Sequence, residues 1–144
     1  MKSLLRPIAK HVIFILLLYP FCGSAQHTLT VTADGISSSE GFIAVGVYNT
    51  EDTFLKEGKI FAGSFEPTKM GKTKITIADL PEGTYAVSIF HDKNGNKALD
   101  TNFIGIPKEP VAFYKVKMKT FGPPDFEECA FVFDSDTEIH IPFR

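Results

Sequence analysis

At 144 residues the chain is long enough for one domain with its own core and short for two of ordinary size. Its 15 lysines and arginines against 17 acids leave a net charge of −2, which excludes the broad basic surface that nucleic-acid phosphates demand. Two cysteines make no disulfide framework, and 14 phenylalanines with no tryptophan make Phe rings the expected filling of the core.

The amino terminus reads as an export signal. Lys2, Arg6, Lys10 and His11 form a positive head, Val12 to Leu18 is unbroken apolar chain, and Gly23-Ser24-Ala25 supplies small residues for a peptidase. The apolar run falls well short of the roughly 18 residues that span a bilayer, so no integral membrane protein is expected after cleavage. Cys22 follows Phe21, too bulky a neighbour for lipid attachment. We therefore assign residues 1–25 to a cleaved secretory signal peptide and residues 26–144 to a single domain, exported to the periplasm, the outer surface or the medium. Loss of Lys2, Arg6 and Lys10 takes the net charge from −2 to −5. Cys129 is then the remaining thiol, expected to be buried and inert.

Period-two alternation dominates the rest of the chain. Leu29, Val31 and Ala33 alternate with threonines, and Ile43, Val45 and Val47 mark a second strand. Between them Asp34-Gly35 and Ser37-Ser38-Ser39-Glu40-Gly41 carry turn chemistry that fits a hairpin or a wider crossover. One helical turn capped by Asn49 or Thr50 is expected next, then strands at residues 60–65 and 73–77. Asp79-Leu80-Pro81-Glu82-Gly83 predicts a tight turn with Gly83 at positive φ, leading into the strongest strand, residues 84–90. Further strands are expected at residues 111–118, 130–133 and 137–143, with a short helical piece after Pro123-Pro124. The stripe Lys115, Lys117, Lys119 reads as the solvent face of an edge strand. The total is all-β: an antiparallel β-sandwich of transthyretin-like or immunoglobulin-like type, with roughly seven or eight strands and one or two short helical turns.

The most informative segment runs from His91 to Asn102, where oxygen-bearing side chains recur at every second position. Calcium takes about six to eight oxygens from carboxylates, carboxamides and backbone carbonyls. Asp92, Asn94, Asn96 and Asp100 are the expected side-chain ligands and Ala98 contributes its carbonyl. Asn102, and Glu109 folded back by Pro107 and Pro110, are further oxygens. The position where an EF-hand carries its bidentate Glu is Phe103, which excludes an ordinary helix-loop-helix sensor. With this few acids the expected Ca2+ affinity is of order 10⁻⁵ to 10⁻³ M. A metal-free turn remains open, because Asn and Asp also bond their own backbone.

Residues 80–110, with Leu-Pro-Glu-Gly-Thr-Tyr-Ala-Val, His-Asp-Lys-Asn-Gly-Asn and Gly-Ile-Pro-Lys-Glu-Pro, and residues 122–131 carry a family resemblance. Together they resemble exported bacterial proteins of the domain of unknown function 2141 family. The resemblance implies a small periplasmic, surface or secreted β-sandwich and no established activity. The Leu-Pro-x-Gly-x-Tyr-x-Val pattern is also similar to transthyretin-like regulatory domains attached to carboxypeptidases.

Catalytic residues are not indicated. No nucleophile elbow is present, and His27, His91, His140 and Cys129 are too dispersed to predict a zinc site. The expected function is a non-enzymatic binding or interaction module of the cell envelope with a calcium-type loop and a protein or glycan partner. A small hydrolase centred on His91 with Asp92 or Glu109, and a structural envelope subunit pairing through an edge strand, are the alternatives. Phe103, Phe113 and Tyr114 discriminate between contact surface and core, and Phe103 is expected in the core.

Overall fold

The computed structural model describes residues 25–143, so the segment expected to be an export signal, residues 1–25, lies outside the described residues except for Ala25. The strands are β1 (Gln26–Ile36), β2 (Phe42–Tyr48), β3 (Ala62–Pro67), β4 (Gly71–Pro81), β5 (Gly83–Asp92), β6 (Val111–Phe113), β7 (Phe131–Phe133) and β8 (Thr137–Pro142). One turn of 3-10 helix at Glu51–Thr53 and one α-helical turn, α1 (Phe126–Cys129), complete the elements. Both short helical pieces fall where the sequence puts them.

Two sheets form a sandwich. The first has strand order β4-β1-β8, and the second runs β3-β2-β5-β6 with β7 also paired to β5. Every pairing between these strands is antiparallel except β1 with β8, which is parallel, so the carboxy-terminal strand enters beside the first strand in the same direction. Alternation explains what meets between the sheets. Leu29, Val31 and Ala33 from β1, Ile75 and Ile77 from β4, and Ile139 and Ile141 from β8 face Ile43, Val45 and Val47 from β2 and Val87 and Ile89 from β5. Each such fully buried aliphatic side chain contributes about 1.5–3 kcal/mol relative to exposure, which makes this interface the main stabilising term.

The outer face of the second sheet is also covered. Ala86 of β5, Phe113 of β6 and Cys129 of α1 form a second cluster under Phe54 and Phe126, whose rings meet edge to face at 5.8 Å. β5 is therefore buried on both faces, as its near-continuous apolar run requires. Cys129 is fully buried there, and burial pushes its thiol up to about 11, which keeps it protonated and unreactive.

Several expected boundaries move. The strand expected over residues 111–118 ends at Phe113, because Lys115 takes a positive φ of 70° and turns the chain. The lysine stripe is thus not a strand face. Lys115 Nζ reaches the Ala130 carbonyl at 2.8 Å, and Lys119 Nζ reaches Asp125 and Glu128 at 3.0 and 2.7 Å. Before β5, Asp79 rather than Gly83 carries the positive φ, at 56°. The serine-rich segment is a crossover between sheets and not a hairpin, since β1 and β2 belong to different ones.

Candidate functional site: a self-bonded polar loop with an apolar tip

β5 aims the site. Tyr85, Val87, Ile89 and His91 face the core, so Asp92 must face the other way, and the two neighbours cannot form a dyad. His91 is 2% exposed, and its Nε2 lies 2.8 Å from the Glu40 carbonyl. A carbonyl only accepts, so Nε2 carries the hydrogen. The imidazole borders a cavity of about 230 Å³ lined also by Gly35, Ile36, Ser37, Pro110 and Phe143. Among the described residues no hydrogen bond or ion pair joins His91 to a carboxylate.

Asp92 is fully buried where the chain leaves the sheet. Its Oδ1 accepts the amides of Gly95 (2.8 Å) and Asn96 (3.2 Å), and Oδ2 accepts that of Lys97 (2.8 Å). Three backbone donors on one carboxylate curl the chain around it, with Gly95 at φ 73° and Lys97 at φ 62°. Gly41 seals the loop from the other side: a Cβ there would stand 1.8 Å from the Asp92 carbonyl oxygen, so only glycine permits the approach.

The every-second-residue rhythm has a local cause. Asn94 Oδ1 accepts the amide of Asn96 (3.0 Å), and Asn96 Oδ1 accepts that of Ala98 (2.9 Å). Each is an Asx turn, a side chain bonding backbone two residues on. The carboxamide Nδ2 groups left over converge on Asp100, that of Asn96 at 3.2 and 3.3 Å from its two oxygens and that of Asn94 on Oδ2. Glu109 closes the loop: Oε1 accepts the Lys93 amide (3.0 Å) and Oε2 the Asp100 amide (3.1 Å).

Asp92, Asn94, Asn96, Asp100 and Glu109 are thus joined in one hydrogen-bonded loop, and Ala98 enters through its amide. Asn102 is separate. Its Oδ1 accepts the amides of Ile104 (3.0 Å) and Ile106 (2.9 Å) at the end of a small hairpin held by the Thr101–Pro107 bridge. Among the described residues no three His, Cys, Asp or Glu side chains are disposed to hold a metal ion. The two carboxamides meet Asp100, whereas Asp92 and Glu109 are each met by backbone amides.

At that hairpin's end the expectation for Phe103 is reversed. Phe103 is 98% exposed, Ile104 65% and Ile106 55%, whereas Phe113 is buried and Tyr114 half-buried against Phe131. The cause is turn geometry. The Gly105 amide bonds the Asn102 carbonyl at 3.0 Å, which makes Phe103 and Ile104 the two central residues of a β-turn, pointing away from any core. Sequence reasoning missed this tip, although Asn102 and Gly105 at the first and fourth turn positions were its signal.

With this geometry in hand, comparison adds one relationship. Residues 31–140 match the family model described as "Uncharacterized protein conserved in bacteria (DUF2141)". The chain belongs to the DUF2141 family. The match runs from the middle of β1 through most of β8, so the polar loop and the apolar tip lie inside the DUF2141 region. No curated protein and no solved structure matches the chain.

Proposed function

We propose that this DUF2141 protein is an exported, non-enzymatic interaction module of the cell envelope whose contact element is the hairpin carrying Phe103, Ile104 and Ile106. One observation carries the reading: a phenylalanine 98% exposed at the end of a hairpin whose base is locked by side-chain bonds. An apolar tip costs solubility and contributes nothing to the core, so it is accounted for by a partner that covers it. The locked base supports the same reading, since a preorganised element loses little entropy on binding.

The hydrolase alternative lacks support in the site's geometry. His91 spends Nε2 on a backbone carbonyl, Asp92 lies on the opposite face of the strand, and the Glu109 carboxylate is taken by two backbone amides. A photo-crosslinking amino acid in place of Phe103 tests the contact role in envelope preparations, with the same group at exposed Glu57 as control. Crosslinks specific to position 103 are expected. Equal labelling from both positions would refute the contact role.

A calcium role is a second reading, favoured by the arrangement at Asp100. Its carboxylate is met by the exchangeable ends of two carboxamides, and turning Asn94 and Asn96 end for end would offer two oxygens beside it. Calcium would then be held by Asp100, Asn94 and Asn96 with Asp92 at the back of the loop, at the expense of the Asx bonds to Asn96 and Ala98.

A further inference from the structure

We infer that the hairpin tip is a peripheral anchor for an anionic lipid surface, seating Phe103, Ile104 and Ile106 at the boundary between headgroups and acyl chains. The inference rests on the proposed contact role of the tip and names its partner.

Charge is the first argument. Residues 91–110 contain three acids and three lysines, which cancel on paper. Folding separates them. Asp92 is buried and Asp100 and Glu109 are half-covered, all three bonded within the loop, while Lys93, Lys97 and Lys108 are exposed. The lysines are therefore the charges of this segment that stand furthest into solvent, although its carboxylates still balance them, exposed Glu40 adjoins the loop and the whole chain is net negative. Lys108 follows Ile106 by two residues, which keeps its Cα within roughly 7 Å and lets its ammonium reach the headgroup layer when the tip is inserted.

Backbone bonding is the second argument. Apolar media penalise unbonded amides, and the tip has few. Ile104 and Ile106 donate to the Asn102 side chain and Gly105 donates to the Asn102 carbonyl, so three of the four amides from Phe103 to Ile106 are bonded within the segment, that of Phe103 being the exception. Size is the third: three side chains on a single turn are far less than the ~800 Å² per side of a stable protein interface, yet suffice for reversible insertion assisted by basic residues.

The chain has no tryptophan, so Phe103→Trp places one indole at the tip as a direct reporter. With the full chain on vesicles containing phosphatidylglycerol, indole emission is expected to shift to the blue and become protected from an aqueous quencher. The apolar run at residues 12–18 is common to all variants, so the reading comes from the indole and from differences between variants. Replacing Lys93, Lys97 and Lys108 together by Gln is expected to weaken insertion of the indole roughly a hundredfold on anionic vesicles and little on neutral ones. Phe103→Ser is expected to weaken vesicle binding about tenfold or more. An indole still open to the quencher on saturating anionic vesicles overturns the inference. If position 103 nevertheless crosslinks specifically to a protein, the contact role stands and only its lipid partner falls.

Discussion

Asp92 shows how much one carboxylate organises here. It sits one residue past His91, where strand alternation turns it from the core, and its two oxygens gather the amides of Gly95, Asn96 and Lys97. Bonds to a charged acceptor are worth about 1.5–3 kcal/mol each, and leaving buried donors unmet costs a similar amount. Asp92→Ala is therefore expected to destabilise the protein by roughly 3–5 kcal/mol, read as a lower urea midpoint at an unchanged slope. Asp92→Asn keeps the shape and one acceptor and is expected to cost about half as much. Equal midpoints for wild type and Asp92→Ala would mean that the loop does not depend on this carboxylate.

At the scale of elements, the hairpin tip and the strand ladders behave oppositely. Phe103 touches almost nothing in its own fold, so Phe103→Ser is expected to leave the melting temperature unchanged within about 0.5 kcal/mol of stability while removing the contact surface. A drop of several degrees would show that the ring packs against the domain. On the outer face of the first sheet, Glu138 of β8 accepts from Lys74 of β4 at 3.0 Å and from Thr32 of β1 at 3.1 Å, tying three strands together. Those partners, Lys74 first, hold its carboxyl below the ordinary 4.5. A depressed carboxylate contributes stability above its unfolded pKa and loses it as pH falls through the folded value. The loss is thus expected below pH 4.5, and Glu138→Gln should flatten that part of the melting profile by a small amount, since the group is solvent-exposed. An acid limb of unchanged slope in the variant would remove Glu138 from the account.

For the molecule as a whole, calcium is a question of linkage. If the Asp100 end takes the ion with a dissociation constant of about 10⁻⁴ M, then 10 mM calcium adds roughly 2.7 kcal/mol, or on the order of 10 °C in melting temperature. The shift should vanish with chelator and in Asp100→Asn. A melting temperature indifferent to calcium, with no heat in a titration, would leave the loop a hydrogen-bonded brace alone. The same global view explains why the sandwich tolerates so polar a loop. The loop hangs beyond the paired ends of β2 and β5, at Phe42 and Asp92, outside the apolar layer between the sheets.

Period-two alternation was enough to specify an all-β chain with one apolar face per strand, because residue spacing alone decides which side chains share a face. It placed β2 and β5 to within two residues, cap and turn residues marked both helical turns, and oxygen spacing grouped Asp92, Asn94, Asn96, Ala98, Asp100, Asn102 and Glu109, of which Asn102 bonds apart from the rest. Spacing could not say which atoms those side chains would spend on one another, since an oxygen set for an ion and an Asx ladder share one rhythm. The parallel β1–β8 pairing and the early end of β6 at Lys115 depend on contacts or dihedrals that no local pattern encodes, whereas the exposure of Phe103 had a local signal in Asn102 and Gly105 that hydropathy overrode. Hydrophobicity predicts burial only when a core lies within reach, and the turn from Asn102 to Gly105 carries Phe103 away from both.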